Sequence, residues 1–451
     1  MDGVITVTYD PAKFVLQNAG DFTLVAPGTL TKTVLTGTHQ YGSYKCTGIL
    51  ASGISAVTFT VNFTGTLWDP VNLTNTVSTP LIATIGGGNI STYFQSAGGP
   101  LLNPGVNGQT ITPQFVKVTG NLIIDQSYQF AAGSEILFSN TDAGIEINNG
   151  STLTLSSSLA YGCTQLWKQI WVRNGLLDAA GNFAQGETII QDAEKAVLVE
   201  TNGRFHSFWA RLRKNRFGLS VTPNGGTRRM VQVNLSSTKF FGDGPLLDGS
   251  TPLVGAVLTD AENIDFPFSF GGPLVLSIAF DGVQHGLVTE NSVATVIGVT
   301  FTNIPEVGIY AYKNSNVSYD GLFYSSFGPC DAPAHFKNVG TGVKCLQSDL
   351  LFRHGGMKDV STGFFCEPSS IGDQTTIKES CINANAFGIR IFAGNNTAGS
   401  ISNNRILVQS GWYALLKGYG IGLFDMAGDV STDVWEIVGN TIDVTASNAN
   451  L

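Results

Sequence analysis

The sequence predicts an all-β protein in which a small immunoglobulin-like β-sandwich, residues 1–90, precedes a right-handed parallel β-helix. Three observations support this fold class. Of the 451 residues only 13% are charged and 54 are glycine, whereas soluble helices usually carry many Lys, Glu and Arg side chains on their outer faces. Apolar and polar residues alternate strictly near the N-terminus. Short apolar motifs recur at a regular interval further along the chain.

The N-terminal prediction depends on short apolar segments separated by turn residues. In residues 55–64 every second residue from Val57 to Phe63 is apolar, and the residues between them are Thr or Asn. This period of two is typical of a strand with one buried face. Several such segments before residue 90 indicate an immunoglobulin-like sandwich. The GGP and NPG turns in residues 91–117 predict a linker.

The β-helix prediction, for residues 118–451, depends on a repeat of one small residue followed by core residues. The repeat occurs as AVLV at 196, GLSV at 218, GLVT at 286, GIYA at 308, GVKC at 342, GFFC at 363, GIRI at 388 and GIGL at 420. Three of its intervals are 21 or 22 residues, the length of one three-sided coil. Because a coil cannot bury its apolar edge alone, we expect these segments to stack about 4.8 Å apart. The rhythm breaks at about 243–283, which predicts an insertion there.

Charge and motif content exclude several classes of function. The net charge is -9, which argues against a nucleic-acid binder because neutralising phosphates requires clustered Lys and Arg. No apolar run approaches the roughly 20 residues of a membrane span, so membrane insertion is not expected. The five histidines show no metal-ligand spacing, and no phosphate-binding loop occurs. We therefore expect neither a metal nor a cofactor.

The six cysteines contain one informative pair. Cys345 and Cys366 are 21 residues apart and occupy the same place in successive repeats. Stacked positions lie within the Cα distance range of disulfides, roughly 4.4 to 6.8 Å. The sequence therefore predicts a disulfide or a close pair of thiols.

One basic segment, residues 204–229, suggests a ligand site. Alternation along its first strand would direct Trp209, Arg211 and Arg213 outward on one sheet face. An exposed Trp between arginines suits stacking on a sugar ring while Arg pairs with a carboxylate or sulfate, so acidic glycans are the expected ligand. The alternative is a solvated charged face, with Trp209 covered by the predicted insertion.

The segment GCTQLWKQIWV at 162–172 carries a resemblance to a known family. With FVKVTGNLIID before it and TIIQDAEKAVLVE after it, it resembles the right-handed β-helix surface proteins exported by the type IX secretion pathway. The glycine-cysteine-threonine element and the tryptophan of that family correspond to Gly162, Cys163, Thr164 and Trp167. The resemblance covers about residues 90–450.

What the resemblance implies concerns fold and export. A secreted or cell-surface location and contact with the export machinery are expected. The sequence shows neither a signal peptide nor a C-terminal sorting domain, so we expect a mature or truncated chain. Trp167 and Cys163 are interpreted as an apolar cap over the first coil.

Three hypotheses for function remain open. The first is a non-enzymatic adhesive or structural protein that binds glycans along its β-helix face. The second is a polysaccharide lyase or glycoside hydrolase, which needs two carboxyl groups held across the scissile bond. Its candidate pairs are Asp192 with Glu194, Asp260 with Glu262, and Asp425 with Asp429. The third is a module like a phage tail spike, because fold alone does not define function.

Overall fold

The structure is a computed structural model. It describes residues 3–34, 47–50, 56–64, 72–78, 83–105, 113–182, 184–200, 202–223, 227–267, 269–271, 274–276, 278–322, 334–368, 373–393, 397–410, 419–425 and 434–446. Cys46, Cys330 and Asp429 lie outside these ranges. No helix among the described residues is long and apolar enough to cross a membrane.

The N-terminal region consists of antiparallel strands. They are β1 (Gly3–Tyr9), β2 (Phe14–Asn18), β3 (Thr23–Ala26), β4 (Thr29–Val34), β5 (Thr47–Leu50), β6 (Ala56–Thr64) and β7 (Asn72–Ser78). Five of them form one sheet in the order β3-β4-β1-β6-β7, and β2 pairs with β5. Val7, Tyr9 and Leu30 form its small core, against which Phe14 and Phe59 pack. The alternation in residues 55–64 thus corresponds to β6. The relationship to immunoglobulin domains stays a prediction.

The described residues from Ala83 onward form a long series of short strands, most of which belong to one large sheet. Its first part comprises β8 (Ala83–Ile85), β9 (Gly88–Asn89), β10 (Phe115–Val118), β11 (Asn121–Ile124), β12 (Tyr128–Phe130), β13 (Glu135–Phe138), β14 (Gly144–Ile147), β15 (Ser151–Ser156), β16 (Leu159–Gly162), β17 (Trp167–Val172), β18 (Gly175–Ala180), β19 (Thr188–Gln191), β20 (Ala193–Val199), β21 (Arg204–Arg213), β22 (Phe217–Val221), β23 (Arg229–Met230) and β24 (Gln232–Phe241). Two 3-10 helices, Ile90–Tyr93 and Gln95–Ala97, separate β9 from β10.

The second part continues the same series. It comprises β25 (Val254–Thr259), β26 (Ala261–Glu262), β27 (Ile264–Phe266), β28 (Ser269–Gly271), β29 (Leu274–Leu276), β30 (Ala279–Asp281), β31 (His285–Glu290), β32 (Val293–Ile297), β33 (Thr300–Tyr312), β34 (Asn316–Asp320), β35 (Phe336–Leu346), β36 (Asp349–Arg353), β37 (Gly356–Glu367), β38 (Gln374–Lys378), β39 (Cys381–Ala393), β40 (Ala398–Ser402), β41 (Arg405–Ser410), β42 (Tyr419–Asp425), β43 (Val434–Val438) and β44 (Thr441–Ala446).

Parallel pairing between successive coils confirms the predicted parallel β-helix. The repeat motifs lie directly above one another, as expected. In register, one inward column runs through Val197, Leu219, Ala256, Leu287, Ile309, Val343, Phe364, Ile389 and Ile421. Because each coil covers the apolar edge of the next, the column forms one unbroken core.

Two expected boundaries differ from the structure. The parallel ladder begins before residue 118, because β8 already pairs with β10 and β9 with β11. The segment 243–283 is not one insertion: β25 within it stacks between β22 and β31. Among the described residues of this segment, the loop that precedes β25 and the β28–β29 hairpin leave the main ladder, and β26 pairs with β23 in a separate two-stranded sheet. The motif GAVL at 255 has the repeat pattern, but longer connections on both sides hide its period.

The repeat glycines serve close packing. A Cβ on Gly308 would lie 2.7 Å from the carbonyl oxygen of Gly342 and 2.8 Å from the ring of Phe336, closer than real contacts allow. Asparagines such as Asn303 and Asn338 instead occupy corners, with φ of 53° and 56°, a conformation that Asn tolerates better than most residues. Several corners therefore use Asn, whereas the repeat glycine at 308 allows neighbouring coils to pack closely.

Stacked aromatic rings occupy part of the inside of the solenoid, beside the aliphatic core residues. Phe240, Phe280, Phe301 and Phe336 form a continuous stack with centroids 4.5, 5.0 and 4.6 Å apart. Nearer the N-terminus the buried Trp167 ring lies 3.9 Å from the Phe138 ring. These contacts favour a structural role for Trp167.

Candidate functional site

The stripe predicted at Trp209, Arg211 and Arg213 is not an exposed sheet face. Trp209 has a φ of 49° and marks a bend in β21. Before the bend β21 pairs with β18, and after it with β19. The strict inward–outward alternation on which the prediction depended is therefore interrupted at Trp209. Phe208 is 39% exposed, whereas Arg211 and Arg213 are 5% and 1% exposed.

Both arginines form ion pairs. The Arg211 guanidinium lies 2.6 Å from Glu187 and 5.0 Å from the centre of the Phe241 ring. Burial lowers the pKa of Arg211, and the charge of Glu187 opposes this shift. Nε of Arg213 donates to both carboxylate oxygens of Asp243 at 3.0 Å. Since their charged groups are buried and matched by carboxylates, these arginines do not present free charge to a ligand.

Cys345 and Cys366 lie opposite each other in register on β35 and β37. Both are buried and unbonded, so the pair is a stacked thiol pair. A hydrogen bond with Cys366, together with burial, raises the pKa of Cys345 well above its usual value. Cys381, by contrast, is disulfide-bonded.

A different surface of the solenoid gathers aromatic and basic side chains. It consists of outward residues on β33, β35, β37, β39 and β42, which we call the aromatic-basic face: Tyr310, Tyr312, Lys344, Phe365, Arg390, Phe392 and Phe424. Register places Tyr310, Lys344, Phe365 and Arg390 in one vertical column. Phe392 and Phe424 stack beside it.

Arg390 is the centre of one half of this face. Its guanidinium carbon lies 4.6 Å from the Phe392 ring centre, 5.6 Å from that of Phe365 and 5.7 Å from that of Phe424. The Phe365 and Phe392 centroids are 5.5 Å apart, and those of Phe392 and Phe424 are 5.0 Å apart. The distances from the Arg390 guanidinium to these three rings are within the range of favourable cation–π contacts.

Lys344 is the centre of the other half. Its Nζ lies 5.1 Å from the Tyr310 ring centre and 5.7 Å from that of Phe365. Tyr310 in turn lies 5.1 Å from Tyr312. Within the described ranges, neither Lys344 nor Arg390 forms a salt bridge with a carboxylate. The two cations of this face thus have aromatic partners but, among the described residues, no carboxylate within ion-pair distance.

Glu290 forms the acidic edge of the face. It accepts hydrogen bonds from the Tyr312 hydroxyl at 2.9 Å and from Lys313 at 2.5 Å. The bond from Lys313 lowers the pKa of Glu290, while burial and Glu290 together raise the pKa of Tyr312 to about 12. At neutral pH, Tyr312 is therefore an uncharged donor.

Three of the carboxylates considered for catalysis have structural partners, whereas Asp429, of the pair Asp425 and Asp429, lies outside the described residues. Glu194 lies 2.9 Å from Arg216, and Asp260 accepts a hydrogen bond from Asn291 at 2.6 Å. Asp192 accepts one from Gln191 at 2.7 Å. Among the described residues no group of three or more His, Cys, Asp or Glu side chains could hold a metal ion.

His354 occupies a polar corner of the solenoid. Its Nδ1 lies 2.9 Å from Asp320 and its Nε2 lies 2.8 Å from Glu379. Both ring nitrogens are engaged, each with a carboxylate from a different coil. The cluster therefore connects three successive coils.

Sequence reasoning missed the aromatic-basic face although its signal was present. The third residue of the repeats GIYA, GVKC, GFFC and GIRI is Tyr, Lys, Phe or Arg. The first, second and fourth positions define the core and were used to find the period. Reading the third positions as one outward column would have located the face.

Comparisons with known proteins add little to this description. No family model and no curated protein matches the chain. Among solved structures, the chain is similar to the catalytic domain of GH87 alpha-1,3-glucanase in complex with nigerose. The two are 12% identical, the match covers 100% of this chain and 86% of that one, and the TM-score is 0.26. A similarity at this level carries no argument about activity.

Proposed function

We propose that this chain is an exported or cell-surface β-helix protein that binds acidic glycans on its aromatic-basic face. The observation that carries the proposal is the position of Lys344 and Arg390. Both lie among partly exposed aromatic rings, and within the described residues neither has a carboxylate partner.

The chemistry of the face suits such a ligand. Aromatic faces stack on the apolar side of sugar rings, and a guanidinium pairs with a carboxylate or sulfate through charge-assisted hydrogen bonds. The rings around Arg390 also hold its guanidinium in place, which lowers the entropy lost on binding. A neutral glycan would leave both cations without a partner.

The dimensions favour a linear polymer. The face extends over five stacked strands, β33, β35, β37, β39 and β42. At about 4.8 Å per strand this is roughly 19 Å, enough for several sugar rings that follow the solenoid axis. Repetition along the axis would allow a repeating polymer to make similar contacts in successive coils.

Export is supported by cysteine chemistry. Cys381 is disulfide-bonded, and disulfides persist mainly in oxidising compartments outside the cytosol. The type IX route remains an interpretation based on the GCTQLW segment, and its machinery would then be a transient partner. An adhesive role at a cell surface would follow from the glycan affinity.

Calorimetry with alginate, polygalacturonate and chondroitin sulfate tests the proposal, with dextran as the neutral control. We expect at least one polyanion to bind and dextran not to bind. Phe365→Ala should weaken that binding by about 1 to 3 kcal/mol, the cost of losing an aromatic hot spot. The matched control is Phe208→Ala, because Phe208 is an exposed phenylalanine on another coil.

Two results would contradict the proposal: no affinity for any polyanion, or equal effects of the two Phe substitutions. New reducing or unsaturated ends in a bound polymer would instead establish the lyase or hydrolase alternative.

A further inference from the structure

We propose a second binding site, for a small neutral sugar, in a cleft where the N-terminal sheet domain meets the solenoid. The cleft has a volume of about 300 Å³. Its polar lining includes Asp21, Lys32, Gln191, Lys214 and Asp243, and we call it the junction cleft. It lies on other coils than the aromatic-basic face, and the proposal is independent of the function given to that face.

Four parts of the chain form the walls of the junction cleft, and one of them is the segment that contains Gly162 and Cys163. The N-terminal domain supplies Asp21 and Lys32, and one corner of the solenoid supplies Asp192 and Lys214. The corner residues have φ of 62° and 50°, and the Asp192 amide donates to the Lys214 carbonyl at 3.2 Å. The loop 243–249 completes the walls. Sites of small ligands occur preferentially at such junctions, with volumes of about 300 to 1,000 Å³.

The charges of the cleft are already balanced. Lys214 is paired with Asp21, and Arg213, beneath the cleft, is paired with Asp243 at 2.9 Å. An anionic ligand would have to displace these carboxylates, and a cationic ligand would have to displace the basic groups. Neither exchange gains charge pairing. A neutral ligand leaves the ion pairs intact.

Hydrogen-bonding capacity remains after these pairs are counted. The Lys214 ammonium carries three N–H donors, and the carboxylate of Asp243 has about four acceptor sites. Gln191 is 2% exposed, and its Nε2 donates to Asp192. Among the described residues its Oε1 has no hydrogen-bond partner, which is costly for a buried acceptor. A ligand hydroxyl group can both accept from Lys214 and donate to such oxygens.

The remaining wall is apolar. Pro245, Leu246 and Leu247 lie side by side on the loop that closes the cleft. A lining with an apolar strip on one side and mixed donors and acceptors on the other fits a sugar ring, which has C–H groups on its faces and hydroxyls around its edge. The volume limits the ligand to one or two rings.

Cys163 provides a reporter for occupancy, because it lines the cleft as a partly exposed free thiol. Burial raises the pKa of this thiol, so alkylation by iodoacetamide is best followed at alkaline pH, where more thiolate is present. Mass spectrometry of the peptide that contains Cys163 separates its reaction from those of the other cysteines. Saturation-transfer NMR on the full chain measures contact with the same probes.

The neutral probes are glucose, galactose and N-acetylglucosamine; the charged probes are glucuronate and inorganic phosphate. We expect at least one neutral probe to show saturation transfer and to slow alkylation of Cys163 about tenfold at ten times its Kd. Gln191→Met, which keeps the side-chain length and removes the acceptor, should weaken this protection at least several-fold. Leu247→Trp, which fills the cleft from its rim, should abolish it. Phe365→Ala on the aromatic-basic face should leave it unchanged.

Three outcomes would overturn the proposal. The first is that no neutral probe contacts the protein. The second is that only a charged probe protects Cys163. The third is that the Gln191→Met and Leu247→Trp variants both bind the probe as the unmodified chain does. Because Phe365→Ala acts on polyanion binding alone, failure of this site and failure of the glycan-binding face are distinguishable.

Discussion

Two parts of the solenoid combine arginine or lysine with aromatic rings, and they differ in what surrounds the charge. On the N-terminal coils, Arg211 lies over Phe241 but is also ion-paired with Glu187 and almost fully buried. On the C-terminal coils, Lys344 and Arg390 lie among partly exposed rings, and in the described part of the chain they have no carboxylate partner.

The difference shows that residue type and strand alternation do not define a binding surface. A cation stabilises the fold when its countercharge comes from the same chain, and it attracts a ligand when that countercharge is absent. Breaking a buried pair costs several kcal/mol, whereas exposed charges contribute little to stability. Substitution of a paired arginine on the N-terminal coils should therefore lower the free energy of unfolding, whereas substitution of Lys344 or Arg390 should mainly weaken ligand binding.

Arg213→Met should give the largest effect. The Arg213 side chain is 1% exposed and contacts both Asp243 and Asp21. Removing it leaves the partly exposed Asp243 without this partner and the buried Asp21 paired with Lys214, which should lower the free energy of unfolding by about 2 to 3 kcal/mol. Urea denaturation measures this. Arg390→Met is the matched control and should cost less than about 1 kcal/mol, since it breaks no ion pair in the described part of the chain. Similar losses in both variants would remove the distinction between the regions.

The sequence was sufficient to predict the fold because each coil repeats the same local pattern. The columns of core residues follow directly from the interval between GIYA, GVKC, GFFC and GIRI. The coil at GAVL was missed because longer connections separate it from its neighbours. Core packing needs only hydrophobic residues at the same place in each coil, which is a property that a single sequence shows.

The sites were harder to predict because their partners are remote in sequence. Glu187 precedes Arg211 by a whole coil, and Asp21 reaches Lys214 from another domain. The bend at Trp209, with its φ of 49°, interrupts the alternation on which the outward stripe depended. Ion pairing is therefore set by tertiary contacts that neither periodicity nor charge count reveals.

The combined substitution Lys344→Met and Arg390→Met should weaken polyanion binding about tenfold, or about 1.4 kcal/mol. The remaining affinity should depend less on salt, because screening acts on the charges that were removed. Titration calorimetry at two ionic strengths measures both quantities. Lys337→Met with Lys358→Met removes the same charge from β35 and β37 at exposed positions. Equal weakening by this control pair would show that net charge, and not the aromatic-basic face, determines binding.

His335 tests a buried group whose charge depends on pH. Burial lowers its pKa, and its Nδ1 accepts a hydrogen bond from the Gly356 amide at 3.3 Å. As the pH falls below about 6.5, the unfolded chain binds a proton that the folded chain does not, so the free energy of unfolding decreases. We expect a loss of about 1 kcal/mol for each pH unit below that value, until the folded-state pKa is reached.

His335→Gln is the corresponding control, because the Gln side chain can accept from Gly356 but does not titrate. Urea denaturation at about pH 5 and about pH 7 should show a smaller difference for this variant than for the unmodified chain. His285, whose pKa is also lowered by burial, is present in both proteins and contributes equally. An unchanged pH dependence would place the proton uptake elsewhere.

Trp209→Ala should have the smallest effect on polyanion binding, a change of less than about twofold. If Trp209 were the exposed aromatic residue of a glycan site, the loss would be about 1 to 3 kcal/mol, the value for an aromatic hot spot. The structure removes the basis of that expectation, because the arginines that would complete the site are paired with Glu187 and Asp243. Titration calorimetry of Trp209→Ala beside Phe365→Ala, with the same polyanion, compares the two regions directly. A larger loss for Trp209→Ala would move the glycan site to the N-terminal coils and make Lys344 and Arg390 irrelevant to binding.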